Sequence, residues 1–188
     1  LVFLIPKLDL SYTLAATVVL VATFASSIVQ PAFGLWSDRR GAMWLLPAGV
    51  ALAGAGMALA SVSPTYPLLL AAVLVSGLGV AAFHPEGMKF ASFVSGARRA
   101  SGMAVFSVGG NLGFALGPVV ASTLILALGL EGGLLIAVPG FVVAALLLRE
   151  ARYLGGFAPH GGRRRWHEDE RDRPGAFALL LAVVGTLV

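Results

Sequence analysis

The amino-acid sequence predicts an all-α membrane protein, a bundle of transmembrane helices, on three observations. Of 188 residues, 58% are hydrophobic and 12% charged, whereas soluble domains carry about 25% charged residues; the mean hydropathy is +0.91. The charges are segregated: none stands between Asp9 and Asp38, Arg40 and Glu86, Arg99 and Glu131, or Glu131 and Arg149, which leaves gaps of 28, 45, 31 and 17 residues. The apolar runs do not alternate as barrel strands must, and lipid offers no partner for an open sheet edge, so each run is helical.

A helix needs roughly 20 apolar residues to cross the hydrocarbon core. The gaps therefore hold five spans, at about 12–36, 43–62, 66–94, 100–128 and 132–149. The first fills the gap after Asp9 and carries Ser26, Ser27 and Gln30 among its polar residues. The second and third share the 45-residue gap, which "SVSPTYP", Ser61 to Pro67, divides with two prolines and three hydroxyl residues. The third is long and ends in "GVAAFHPEGMKFA", Gly79 to Ala91. The fourth carries "GGNLGFALGP", Gly109 to Pro118, and the fifth lies between Glu131 and Arg149.

The rest of the chain divides simply. Residues 1–149 form the bundle, and residues 150–174, centred on "GGRRRWHEDERDRPG", read as a flexible linker of mixed charge in which His160 and His167 are solvated. Leu1 to Pro6 is apolar but too short to span, and residues 175–188 are an apolar run of less than spanning length. No basic leader or small-residue cleavage site marks a signal peptide at Leu1 to Pro6. The expectation is a piece of a longer protein that begins and ends inside helices, with a second bundle starting at 175–188.

Five spans alternate the sides of their loops. Segments 37–41, 95–99 and 149–174, with Lys89, carry twelve of the thirteen Lys and Arg, and the opposite side carries only Lys7. The positive-inside rule places the twelve in the cytoplasm of a cell membrane. Trp36 and Trp44 flank the first inner loop, while Tyr12 and Tyr66 open spans on the outer side, where interfacial aromatics belong. The sequence pI near 10.1 thus reflects orientation, and no nucleic-acid partner is expected. The absence of cysteine excludes disulfides and thiolate metal sites. No cofactor or metal is expected.

Three stretches carry a family resemblance. "GLWSDRRG", Gly34 to Gly41, resembles the G-x-x-x-D-R-x-G loop of the major facilitator superfamily at Gly34, Asp38, Arg39 and Gly41, although Ala42, Met43 and Trp44 stand where that family usually adds basic residues. "GGNLGFALGP" is similar to the fifth-helix motif of its proton-coupled exporters at Gly113, Gly117 and Pro118, without the glycine pair that follows; Ala121 and Ser122 stand there. The stretch from Gly77 to Pro118, containing "FHPEG" and "GGNLGFALGP", looks like the fosmidomycin-resistance branch. Many members carry an arginine four residues before a glycine of the fourth helix; here that position is Val73, before Gly77.

The resemblance implies a major-facilitator-type bundle, first six-helix half. Residues 1–6 are the end of the family's first helix, the five spans its second to sixth, and 175–188 the start of its seventh. It implies proton-coupled efflux of a small drug-like solute, with no enzymatic activity. The alternatives are uptake by the same fold and a non-transporting structural subunit.

Several residues then acquire two readings each. Asp38 either satisfies free N–H groups at the start of the next helix or, as the family implies, works with Arg39 in a latch against the other half. Gly109, Gly113 and Gly117 let helices approach closely, which the family assigns to contact with the second half; Pro118 bends the span. Asn111 and, more weakly, Gln30 need hydrogen-bond partners at depth, from another helix or from substrate. Glu86 either pairs at the inner edge with Lys89, three residues on, or with Arg98, or it exchanges protons with help from His84. On a regular helix two residues apart point away from each other. Pro85 and Gly87 predict an irregular one, of the kind that lines a cavity at depth.

Overall fold

The computed structural model describes residues 2–40, 43–95 and 98–150. Among them every regular element is helical: α1 Leu4–Lys7, α2 Tyr12–Ile28, α3 Gln30–Arg40, α4 Leu45–Val62, α5 Tyr66–Val94, α6 Arg99–Leu128, a 3-10 segment Leu130–Ile136 and α7 Ala137–Arg149. Among the described residues five stretches are long and apolar enough to cross a membrane: Tyr12–Arg39, Leu45–Val62, Tyr66–Ser92, Ala100–Leu128 and Leu130–Arg149. These are the five spans read from the charge gaps. The linker 150–174, beyond Glu150, and the run 175–188 lie outside the described residues, as does Gly41.

Local chemistry sets the element ends. Ser11 caps α2, its Oγ accepting from the Leu14 N–H at 3.3 Å. The first span is interrupted at Val29, between α2 and α3. Pro31 is the local cause: it has no N–H for the carbonyl of Ser27, and its ring crowds that carbonyl. The chain turns at residues 63–65, inside the proline-bearing segment, before α5 begins at Tyr66. Gly129, at φ +73°, ends α6 in a conformation that glycine adopts without a Cβ penalty.

Close helix contacts are made by glycine. A Cβ on Gly49 of α4 would stand 2.8 Å from the Gly79 carbonyl oxygen and the Phe83 nitrogen of α5. One on Gly56 would meet the Ala72 oxygen of α5 at 2.6 Å, and one on Gly77 the Ala25 Cβ of α2 at 2.7 Å. Gly54 and Gly140 bring α7 against α4 less tightly, a Cβ on Gly140 standing 3.3 Å from the Val50 oxygen. These backbones touch because nothing intervenes, as in small-residue packing between membrane helices. Near the starts of α2 and α5, Leu10, Val18, Leu69, Ala72 and Val73 form an apolar cluster that α1 closes through Leu4. The same ends are tied by Tyr66 Oη donating to the Leu14 carbonyl at 3.2 Å.

Candidate functional site: a charge cluster between two helices and an adjoining groove

α3 and the C-terminal half of α5 run against each other, and this contact brings the two polar motifs together. A Cβ on Gly34 would lie 3.7 Å from the Cβ of Pro85. One turn along α3, Ser37 is buried; one residue further, Asp38 is mostly exposed. On α5, Glu86 is 2% exposed. Between them stands Lys89. Its Nζ lies 2.7 Å from Glu86 Oε1 and 2.8 Å from Asp38 Oδ1, and it donates to Ser37 Oγ at 2.9 Å. The Ser37 hydroxyl in turn donates to Glu86 Oε1. The three ammonium donors thus find three acceptors, and no buried side-chain polar atom among the described residues lacks a partner. With all groups ionised the cluster holds two negative charges and one positive.

Trp36 of α3 and Trp44, just before α4, meet edge to face with ring centroids 5.5 Å apart. Phe33 and Trp36 pack on buried Leu45 and Ala82, which shields the protein side of the cluster. Arg39 is exposed at the end of α3. Gln30, at the start of α3, is half-buried and far along the helix from the cluster.

α5 corrects one expectation. It is α-helical from Tyr66 to Val94, through Pro85. The proline removes one backbone donor, but the helix around it stays regular. His84 and Glu86 therefore point to different sides, as the two-residue spacing requires on a regular helix. Glu86 faces α3, while the His84 side chain is exposed toward α6. There it lines an open groove of about 600 Å³ with Val80 of α5 and Phe106, Ser107, Asn111 and Phe114 of α6. The structure thus brings Asn111 together with His84, and Glu86 together with Asp38, as two neighbouring sites.

On α6, Gly109, Gly113 and Gly117 face open space: a Cβ on any of them meets nothing within 4 Å. Pro118 is exposed inside a continuous helix. Among the described residues, no helix lies against this stripe; the tight glycine crossings are those of α4 and α5. Sequence reading gave Lys89 only as one possible partner of Glu86 and missed Ser37 and Ser107. Lys89 is the sole basic residue of the third span, three residues from Glu86. Ser107 stands four residues before Asn111 and shares its face. Ser37 had no signal beyond standing next to Asp38.

Five apolar spans and a charge cluster satisfied inside the bundle define a multi-pass membrane protein. The chain belongs to the Major Facilitator Superfamily, whose sequence profile matches residues 1–187. It is similar to the fosmidomycin resistance protein of Escherichia coli (strain K12), 34% identical over 141 residues, 75% of this chain and 34% of that protein. It is also similar to two Bacillus subtilis (strain 168) proteins described as uncharacterized MFS-type transporters. YfnC is 27% identical over 163 residues, 85% of this chain and 40% of that one. YwoD is 29% identical over 142 residues, 76% of this chain and 31% of that one. The chain spans about a third of the length of the curated relatives it matches. No solved structure matches it. Membership of a transporter superfamily points to transport and away from catalysis.

Proposed function

We propose that this chain is the first half of a secondary active transporter of the cell membrane that exports a small drug-like solute in exchange for protons. In this reading residues 1–149 are the first bundle half, 150–174 the central cytoplasmic linker and 175–188 the start of the second half. The basic segments face the cytoplasm. The two halves rock about a site near the midplane, as in other transporters built from repeated bundles.

One observation carries the reading: an acid at 2% exposure inside a span, tied through one lysine to the superfamily's loop motif. Ionisable groups at membrane depth are costly, and they mark ion pathways and relays. A proton on Glu86 would cancel the excess negative charge of the cluster and release Lys89 to Asp38 alone. Proton uptake would thus loosen α3 from α5 at the inner edge, where Asp38 and Arg39 act as a latch against the second half. The groups facing Glu86 are Lys89 and Ser37, with Asp38 behind Lys89; His84, on the groove side, assists as the relay to the path. The similarity to a fosmidomycin resistance protein favours export of a drug-like solute. Uptake by the same fold is the second reading, since the coupling chemistry is common to both.

The test uses the complete protein in liposomes. Glu86→Gln keeps the side chain's shape but takes no proton. Efflux driven by a pH gradient is expected to stop, while solute exchange, which needs no net proton movement, survives. Wild-type pH-driven efflux from Glu86→Gln would end the coupling role and leave the cluster as a structural tie. The sign of the pH gradient that drives accumulation separates export from uptake.

A further inference from the structure

Three side chains in the α5–α6 groove lack a role in the charge cluster. Ser107 and Asn111 stand 8 and 12 residues into α6, roughly 12 and 18 Å from its inner end, inside the span Ala100–Leu128. Neither has a side-chain hydrogen-bond partner among the described residues. The His84 ring touches Phe83, with centroids 6.0 Å apart, and otherwise opens to the groove. An amide held without a partner in hydrocarbon is costly, so this face of α6 does not contact lipid.

A solute fits the groove better than a helix does. The groove, about 600 Å³, lies within the size range of small-molecule sites, about 300–1,000 Å³. Its polar groups are few and convergent, and its walls are aromatic at Phe106 and Phe114. The stripe suited to close helix approach, Gly109, Gly113 and Gly117, lies more than a third of a turn around α6 from Ser107 and Asn111.

The lining also selects a charge. Among the described residues no acidic side chain lines the groove; Glu86 faces away and is paired with Lys89. An organic cation would find no counter-charge there. Ser107 and Asn111 both carry donors, and His84 offers one donor when neutral and two when protonated.

We propose that His84, Ser107 and Asn111 form a recognition patch for a hydrogen-bond-accepting oxygen, uncharged or anionic, on a solute whose apolar body packs against Phe106 and Phe114, and that the patch disfavours organic cations. This rests on the transporter reading, and two of the three residues, Ser107 and Asn111, take no part in the proposed proton coupling.

The sequence contains no cysteine, which suits single-thiol labelling. Ser107→Cys and Asn111→Cys are made in the complete protein, with any cysteine elsewhere replaced. They are reconstituted and treated with a membrane-impermeant thiol reagent; Val142→Cys on the exposed face of α7 serves as the lipid-facing control. Positions 107 and 111 are expected to react and 142 not. Benzoate and benzamide are expected to slow the reaction at 107, and benzylamine to leave it unchanged. Protection by benzoate alone assigns an anionic oxygen; protection by both probes assigns the oxygen irrespective of charge. Adding Asn111→Leu to Ser107→Cys should weaken protection about tenfold, the loss expected from one hydrogen bond, and Asn111→Gln should restore it. Failure of both cysteines to react would mean that a helix or lipid covers the groove, and would overturn the proposal. So would protection by benzylamine equal to that by benzoate, or protection by none of the probes. Intact labelling and protection without pH-driven efflux would defeat proton coupling and leave the patch standing.

Discussion

At Glu86 and Lys89 two descriptions of one acid meet, and a pair of variants separates them. Lys89 bonds Glu86, Ser37 and Asp38, so Lys89→Met leaves Glu86 buried without a cation. Breaking a buried pair from one side costs about 3–5 kcal/mol. A quarter of the Lys89 side chain is exposed, so screening reduces the expected loss to about 2–3 kcal/mol. Lys89→Met should lower the thermal midpoint of the detergent-solubilised protein, and Lys89→Met with Glu86→Gln should recover most of it. No recovery in the double variant would show that the lysine's stem, and not its charge, supports the fold. The Glu86–Lys89 contact was legible from three-residue spacing on a helix. Asp38 and Ser37 were not, because joining residues about 50 positions apart requires knowing that α3 packs on α5. The divergence of His84 from Glu86 was legible too; the expectation of an irregular helix at Pro85 obscured it, since one missing donor does not unwind a long helix held by its neighbours.

At the scale of elements, the glycines divide into two groups with opposite expectations. Gly49, Gly56, Gly77 and Gly79 stand where a methyl group would strike another helix's backbone or side chain. Backbone cannot rotate away as a flexible side chain can, so Gly56→Ala or Gly79→Ala must part α4 from α5. The expected cost is about 1–3 kcal/mol, read as a lower thermal midpoint and reduced yield of folded protein. Gly113→Leu and Gly117→Leu meet nothing among the described residues, so both variants should still insert and fold this bundle. Under the proposed reading they still impair transport, because the second half packs there. Unaltered transport in both would remove the stripe as a contact surface. The spans themselves were legible from charge gaps. Which glycine stripe is covered was not: spacing of four recurs on α6 without a partner among the described residues, while the real crossing uses Gly49 and Gly56, seven apart. The interruption at Val29 was legible in principle, from Pro31, but the uniform apolar character of 12–36 concealed it.

For the whole molecule, the strongest expectation concerns orientation, because it follows from many charges at once. The described ends of α3, α5 and α7, with the start of α6, gather on one side by simple alternation of the helices. The basic residues collect there, twelve to one. Translocating Lys and Arg is disfavoured, and the bias in short loops sets topology. The outer side carries Lys7, Asp9 and Glu131, too few to compete. A phosphatase or fluorescent reporter joined after Arg165 should therefore report cytoplasm, and one joined at Glu131 should report the exterior. Moving charge should test the cause as well as the outcome: replacing Arg163, Arg164 and Arg165 with Gln leaves nine basic residues on the inner side and should preserve the orientation. If the two reporters gave reversed signals, the Glu86–Lys89–Asp38 cluster would sit at the outer edge. Protons would then reach it from the opposite compartment, and the latch at Asp38 and Arg39 would act at the other face of the membrane. The same pair of fusions thus decides the topology and sets which side of the membrane feeds the coupling site.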